Sequence, residues 1–351
     1  MRKTIVSTAA LVAVAALLAG CNRGSDNATT GGAKAEVVGV DYPRSDTDFW
    51  NSYIKYVPQF GGELKLDLKT TNSENDIAKL TANVQTLLGQ GAKGVVMAPQ
   101  DTAAVAPTLD QLEQKKIPVV SIDTRPDKGD VFMVVRADNR AYGQKACEFL
   151  GAKLKGKGKV VMFEGDLASV NGRDRTEAFN ECMKQKYPNV KVFGLATEWK
   201  GDVAANKLQT VLAANPDING IYMQAGGVFL APTMQLLKQK NLLVPPTDPK
   251  HIFIVSNDGI PEELKAIEAG DIDATVSQPA DLYAKYGLYY VKAAIDGKTF
   301  KPGPTDHQST IVQVRPGLLE DQLPAPLVTK DGSFQGSMKA DDASLWGNQV
   351  K

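Results

Sequence analysis

Asp123 and Arg125 end an apolar run, "IPVVSI", with two opposite charges two residues apart, and other short apolar segments of the chain end in a similar way. Asp41 and Tyr42 follow "VVGV", Asp101 follows "VVMAPQ", and Glu164, Gly165 and Asp166 follow "KVVMF". Glu198 and Trp199 close "KVFGLAT", Gln224 follows "GIYM", Asn257 and Asp258 follow "IFIVS", and Gln278 follows "ATVS". A carboxylate accepts from two adjacent hydroxyls, Arg, Asn and Gln donate to hydroxyl oxygens, and aromatic rings cover C–H faces. Such a set suits a neutral molecule with many hydroxyls, and its mixed charges argue against an ionic one. For a single pair such as Asp123 and Arg125, an ion pair or a turn cap is an equally good account. For eight segment ends together it is a poor one.

Other chemistries lack their residues. There is no Gly-x-Ser-x-Gly elbow, no Gly-x-x-x-x-Gly-Lys-Ser/Thr loop and no Gly-x-Gly-x-x-Gly after the first apolar segment. Gly226 and Gly227 stand at an expected helix start, where free N–H groups could hold an anion, but two glycines alone are a weak signal. Asp123 and Asp258 could act as an acid and base on a glycoside, yet nothing in the sequence orients them for it. The two histidines, His251 and His307, stand apart from each other and from the cysteines, so no metal spacing exists and no cofactor is expected. With 40 basic and 40 acidic side chains, the chain offers no electrostatic case for nucleic acid.

The elements that must position these residues alternate. From Glu36 onward, short apolar segments are joined by stretches with helical periodicity, such as Ile77, Leu80, Val84, Leu87 and Leu88 in "DIAKLTANVQTLLGQG". This predicts an α/β fold of parallel strands covered by helices on both faces, with more units than one sheet holds, and hence two domains. In open parallel sheets ligands bind beyond the carboxyl ends of the strands, which is where the polar residues collect.

The N-terminus reads as an address. Arg2 and Lys3 precede about 16 apolar or small residues, too few to span a bilayer core of ~30 Å, and the run ends in "LAGC". That ending resembles a bacterial lipoprotein signal, which implies a signal peptide over residues 1–20, lipid on Cys21 and anchoring to the cell membrane from outside the cytoplasm. Residues 21–35, "CNRGSDNATTGGAKA", suit a flexible tether. Cys147 and Cys182 fall on expected helices of one half of the chain, and a disulfide and two buried thiols both remain open.

In the order of its motifs, from about Glu36 to Val314, the sequence resembles the periplasmic sugar-binding proteins of the ribose-binding type, which deliver ligand to ABC importers. "DTDFWNSY" resembles the family's paired aromatics, which implies that Phe49 and Trp50 stack on a sugar ring. Asp123 matches the strand-end Asp that binds ring hydroxyls. In "NGRDRTEAF" the first Arg, Arg173, matches the sugar-binding Arg, with Asn171 its neighbour. Trp199 falls at a stacking aromatic, "SNDGIPEE" nominates Asp258 with Asn257 beside it, and "ATVSQPADLY" nominates Gln278. Two positions depart from the pattern: Thr124 stands where an Arg is common, with Arg125 one place later, and Ala225-Gly226 replaces a frequent Asn-Asp.

The resemblance implies a periplasmic binding protein type I fold, two doubly wound parallel-sheet domains joined by a three-strand hinge near Ala137-Asp138, Pro279 and Asp306-His307. The N-terminal domain is then residues 36–137 plus 279–306 and the C-terminal domain 138–278 plus 307–318. Residues 319–351 are expected to pack on the surface near the hinge through Val328 or Trp346, with a disordered tail the alternative. The implied partners are a small neutral sugar or polyol and importer permease subunits, with a monomeric chain and no nucleic acid. A glycan-processing enzyme on the same scaffold and a sensor presenting ligand to a chemoreceptor are the other readings. A DNA-binding regulator would need a helix-turn-helix in place of the export signal.

Overall fold

The computed structural model describes residues 35–350. The expected signal peptide, Cys21 and all of the expected tether but Ala35 lie outside the described residues. No helix among the described residues is long and apolar enough to cross a membrane.

The chain begins with β1 (Val37–Tyr42), α1 (Asp48–Glu63), β2 (Asp67–Asn72), α2 (Ile77–Gly89), β3 (Gly94–Met97), α3 (Ala106–Gln114), β4 (Val119–Ile122) and β5 (Met133–Ala137). It then builds α4 (Asn139–Lys153), β6 (Lys157–Glu164), α5 (Val170–Lys186), β7 (Asn189–Ala196), α6 (Gly201–Ala214), β8 (Gly220–Met223), α7 (Gly226–Gln239), β9 (Phe253–Asp258), α8 (Pro261–Ala269) and β10 (Ala274–Ser277). After α9 (Ala280–Ile295) come β11 (Gly303–Pro304), β12 (Thr310–Arg315), β13 (Leu318–Leu323), β14 (Leu327–Thr329), β15 (Met338–Lys339) and the single turn α10 (Trp346–Gln349).

These strands form two sheets, in the orders β11-β12-β13-β5-β4-β3-β1-β2 and β15-β14-β10-β9-β8-β6-β7. The central strands of both are parallel, as short, fully buried strands joined by amphipathic helices require. Each sheet is covered on both faces. In the first lobe α1 and α9 bury Val40, Val96 and Ile122 on one side, and α2 and α3 bury Val95, Met97 and Val119 on the other. In the second lobe α6, α7 and α8 cover Val161, Ile221 and Ile254, while α4 and α5 cover Val160, Met162 and Val255. Cys147 of α4 and Cys182 of α5 form a disulfide, with Cα atoms 6.2 Å apart.

The chain crosses between sheets after β5, after β10 and after β13. The third crossing is therefore Pro324-Ala325-Pro326, and the expected one at Asp306-His307 is corrected. Residues 307–318, assigned from sequence to the second domain, contribute β12 to the first sheet, where β12 pairs with β13 and β13 with β5. The reason lies in β13, "LLEDQL", which buries Glu320 and Asp321 and so lacks an apolar pattern. Arg125 donates to Glu320 at 2.9 Å, and Asp321 accepts from Tyr290, Ser309 and His307. Residues 319–350 are likewise not a surface appendage: β13 lies in the first sheet, β14 and β15 extend the second, and the expected anchors Val328 and Trp346 are both buried.

Candidate ligand-binding site

The carboxyl ends of both sets of parallel strands face each other and enclose a small cavity of about 50 Å³. Phe49, Trp50, Asp123, Asn171, Trp199, Asp258 and Gln278, all expected at the site, line it. Arg175, Gln100, Arg44, Thr47, Ala225 and Val228 line it as well and were not expected there.

The first lobe supplies the two aromatic rings from the start of α1. Thr47 caps that helix by accepting from the Trp50 N–H, which fixes the first turn at the cavity edge. Phe49 and Trp50 meet edge to face at 5.2 Å. Asp123 follows β4 with φ +61°, and this left-handed step sends its side chain into the cavity while Arg125 turns away. Arg125 pairs instead with Glu320 at 2.9 Å and Asp174 at 3.8 Å, so its expected place at the site is corrected: the broken strand alternation separates the two charges.

Helix α5 of the second lobe makes the next correction. Asn171 and Arg175 are one turn apart and share the face toward the cavity, whereas Arg173 lies about 200° round the helix from Asn171. Arg173 grips the Asp127 carboxylate at 2.6 and 2.7 Å, on the outer edge of the cleft. The sequence signal for Arg175 was available: it stands four residues after Asn171.

Three other expected residues also face elsewhere. Asp41 accepts from Thr71 and Asn83, both at 2.8 Å, because alternation along β1 turns it toward β2 and α2. Tyr42 packs edge-on against Tyr53 at 6.0 Å. Asn257 points under the cavity floor, donating to the Tyr222 hydroxyl at 3.1 Å and the Gln224 carbonyl at 3.2 Å.

Two cations line the cavity: Arg44, paired with Asp46 at the edge and donating to the Trp199 carbonyl at 3.5 Å, and Arg175, which its hydrogen bonds fix. The Arg175 Nε donates to Asn139 at 2.6 Å, one terminal nitrogen to the Gln224 carbonyl at 2.5 Å and the other to Gln278 Oε1 at 2.6 Å. The guanidinium lies 5.0 Å from the Tyr142 ring and 5.8 Å from the Trp199 ring. Three of its five N–H groups are thus spoken for, and two remain.

Asp258 approaches from the second lobe. The Gly227 N–H donates to its carboxylate at 2.9 Å, so the start of α7 is capped by Asp258 rather than open to a bound anion. Gly226 leaves room for a different carboxylate, since a Cβ there would fall 2.1 Å from Glu263 Oε1. Burial pushes the Asp123 carboxyl up to about 6 and Asp258 up to about 7, with the Arg175 charge pulling both back. Asp123, Trp199 and Asp258 all have positive φ, at +61°, +54° and +113°. Non-glycine residues held in that region concentrate at functional sites.

The cavity therefore offers two fixed carboxylates from opposite lobes, two guanidinium groups committed to protein partners, amides, and aromatic walls. A periplasmic binding protein domain model matches residues 38–299. The chain belongs to this periplasmic binding protein family. It is 26% identical over 260 residues to a xylitol-binding protein of Mycolicibacterium smegmatis, covering 74% of this chain and 70% of that one. It is 28% identical over 236 residues to a ribose import binding protein of Haemophilus influenzae, covering 67% and 77%. An ABC transporter solute-binding protein from Mycobacterium smegmatis, solved with bound glycerol, shares the fold with a TM-score of 0.70 at 23% identity, over 76% of this chain and 90% of that one. This binding protein thus has the two-lobed, ribose-binding-type architecture, and the family places it outside the cytoplasm.

Proposed function

We propose that this chain is the solute-binding component of an ABC importer and captures a neutral monosaccharide or polyol by closing its two lobes. The observation that carries this is the pair of carboxylates, Asp123 and Asp258, brought from opposite lobes to one aromatic-walled cavity. Two buried carboxylates repel each other, and ligand hydroxyls donating to both replace that repulsion with charge-assisted hydrogen bonds. Arg175 keeps two donors for ring or hydroxyl oxygens, and Trp50 and Trp199 cover apolar faces. An anionic ligand would meet two carboxylates, Arg175 already bound to three protein groups, and Arg44 already paired with Asp46.

Closure follows from the distribution of these groups: ligand held by Asp258 and Arg175 of the second lobe offers its remaining hydroxyls to Asp123, and the lobes shut over it. The closed pair of outer surfaces is what a permease reads. The same reading makes the chain a binding protein and not an enzyme, monomeric, and held to the outer face of a membrane by lipid on Cys21.

A thermal-shift screen of a form beginning at Glu36 against pentoses, hexoses and polyols tests the ligand class, with amino acids and sugar phosphates as controls. A ligand at a hundred times its Kd adds about 2.7 kcal/mol. Stabilisation by one or two neutral sugars or polyols supports the reading, and stabilisation by phosphorylated or amino compounds alone refutes it. Release of the full chain from membranes on Cys21→Ala tests the anchor, and retention of the variant there would refute it.

A further inference from the structure

Leu345 and Trp346 are adjacent in sequence, yet they belong to different cores. Leu345 packs in the second lobe with Leu264, Ile267 and Ala340. Trp346 packs with Phe49, Trp50 and Tyr283 of the first, joined by Ile260 from α8's N-terminal end. The Trp346 ring meets the Phe49 ring edge-on at 5.9 Å, and its Nε1–H donates to the Asp258 carbonyl at 3.2 Å. One side chain thus touches two walls of the cavity, an aromatic ring from the first lobe and the backbone of the second lobe's carboxylate. Gly347 closes over the same turn: a Cβ there would fall 2.2 Å from the Gly259 carbonyl oxygen.

Asp258 in that turn is held in an unfavourable conformation at φ +113°, followed by Gly259 at φ +74°, which glycine adopts without strain. Its other restraints come from the second lobe. The Gln278 N–H donates to the Asp258 carbonyl at 2.9 Å, the Gly227 N–H donates to the Asp258 carboxylate, and Glu263 accepts from the Gly259 and Ile260 N–H groups at 2.6 and 3.1 Å. Trp346 adds a restraint that also rests on the first lobe. It does so from a segment beyond residue 299, where the match to the family model ends.

We propose that Trp346 is a positioning residue of the binding site, and that the strap Leu345–Val350 holds the turn that carries the Asp258 carboxylate in its binding conformation before ligand arrives, with Phe49 as its brace when the lobes are shut. The proposal rests on the sugar-binding reading only in taking Asp258 as a ligand acceptor. Hydrogen exchange of the ligand-free protein tests it, comparing wild type with Trp346→Ala and with Trp346→Phe, which keeps a ring and loses the donor. Amides of Gly227 and Gln278, both bonded to Asp258, are expected to exchange about 10-fold faster in Trp346→Ala and by an intermediate factor in Trp346→Phe, while Val95 in the first sheet stays unchanged. Affinity for D-ribose or xylitol, whichever wild type binds more tightly, should fall at least about fivefold in Trp346→Ala and recover in part in Trp346→Phe. Unchanged exchange at Gly227 and Gln278, or an equal rise at Val95, overturns the proposal. A wild-type protein that binds no sugar or polyol overturns the ligand reading instead, and the exchange comparison still decides the role of Trp346.

Discussion

Gln278 donates its side-chain N–H to the Asp123 carboxylate at 3.2 Å while its own carbonyl oxygen accepts from Arg175 at 2.6 Å. A single carboxamide at the end of β10 therefore links the first lobe's anion to the second lobe's cation. Asp123 is thereby aimed, with one oxygen free of that bond to receive a ligand.

Asp123→Asn tests whether that carboxylate is the acceptor. Asn tolerates the left-handed backbone at this position better than Ala does, so the fold should survive. A charge-assisted hydrogen bond contributes about 1.5–3 kcal/mol, so affinity for the best sugar or polyol should fall roughly 10–100-fold by calorimetry. Wild-type affinity in the variant would remove Asp123 from the site.

The buried carboxyls also set a pH dependence. Asp123, Asp258 and Glu263 are raised to about 6, 7 and 8, chiefly by burial. A carboxyl whose folded pKa lies above its unfolded value contributes stability that is present at low pH and lost as pH rises through the folded value. The ligand-free protein should therefore lose several degrees of Tm from about pH 5 to about pH 8, and Asp258→Asn should flatten that slope. A Tm that climbs steadily across this window would contradict the sign.

The Cys147–Cys182 disulfide ties α4 to α5 across a separation of 35 residues. Closing a loop of that size constrains the unfolded chain by about 3–4 kcal/mol. Replacing both cysteines with serine should lower Tm in thermal melts while leaving ligand affinity within about twofold, because neither residue lines the cavity. A large loss of affinity would mean that the bond positions Asn171 and Arg175 on α5.

Much of the architecture was legible because buried parallel strands are short apolar runs and the polar residues at their ends stand out. Legibility failed where charge was buried inside an element. Glu320 and Asp321 hid β13, and with it the third crossing at Pro324-Ala325-Pro326. The edge strand β2, half exposed and polar, carried no periodic signal either. Within the site, a strand end nominated the segment but not the side chain that faces the cavity: alternation turned Asp41 aside, while left-handed steps place Asp123, Trp199 and Asp258 at the cavity. The positive φ of Asp123 turned Arg125 away, and the phase of α5 exchanged Arg173 for Arg175. A backbone step of that kind has no signature in residue type.

Arg173 has a role outside the cavity. It reaches from α5 to Asp127 and to the Thr102 hydroxyl at 3.3 Å, beside the backbone bond from the Thr102 N–H to the Ala168 carbonyl at 3.3 Å. These bonds join the lobes at the cleft edge and so favour the closed form. The ion pair is about one-third exposed on each side, which limits its contribution to roughly 1 kcal/mol. Arg173→Ala should therefore lower affinity by no more than about fivefold, through a smaller closed population, and preserve the ranking of sugars. High salt should bring wild type toward the variant, since exposed pairs are screened. If Arg173→Ala instead abolished binding or reordered the ligands, the guanidinium would have to reach the sugar itself, and the cavity as drawn by Arg175 would be incomplete.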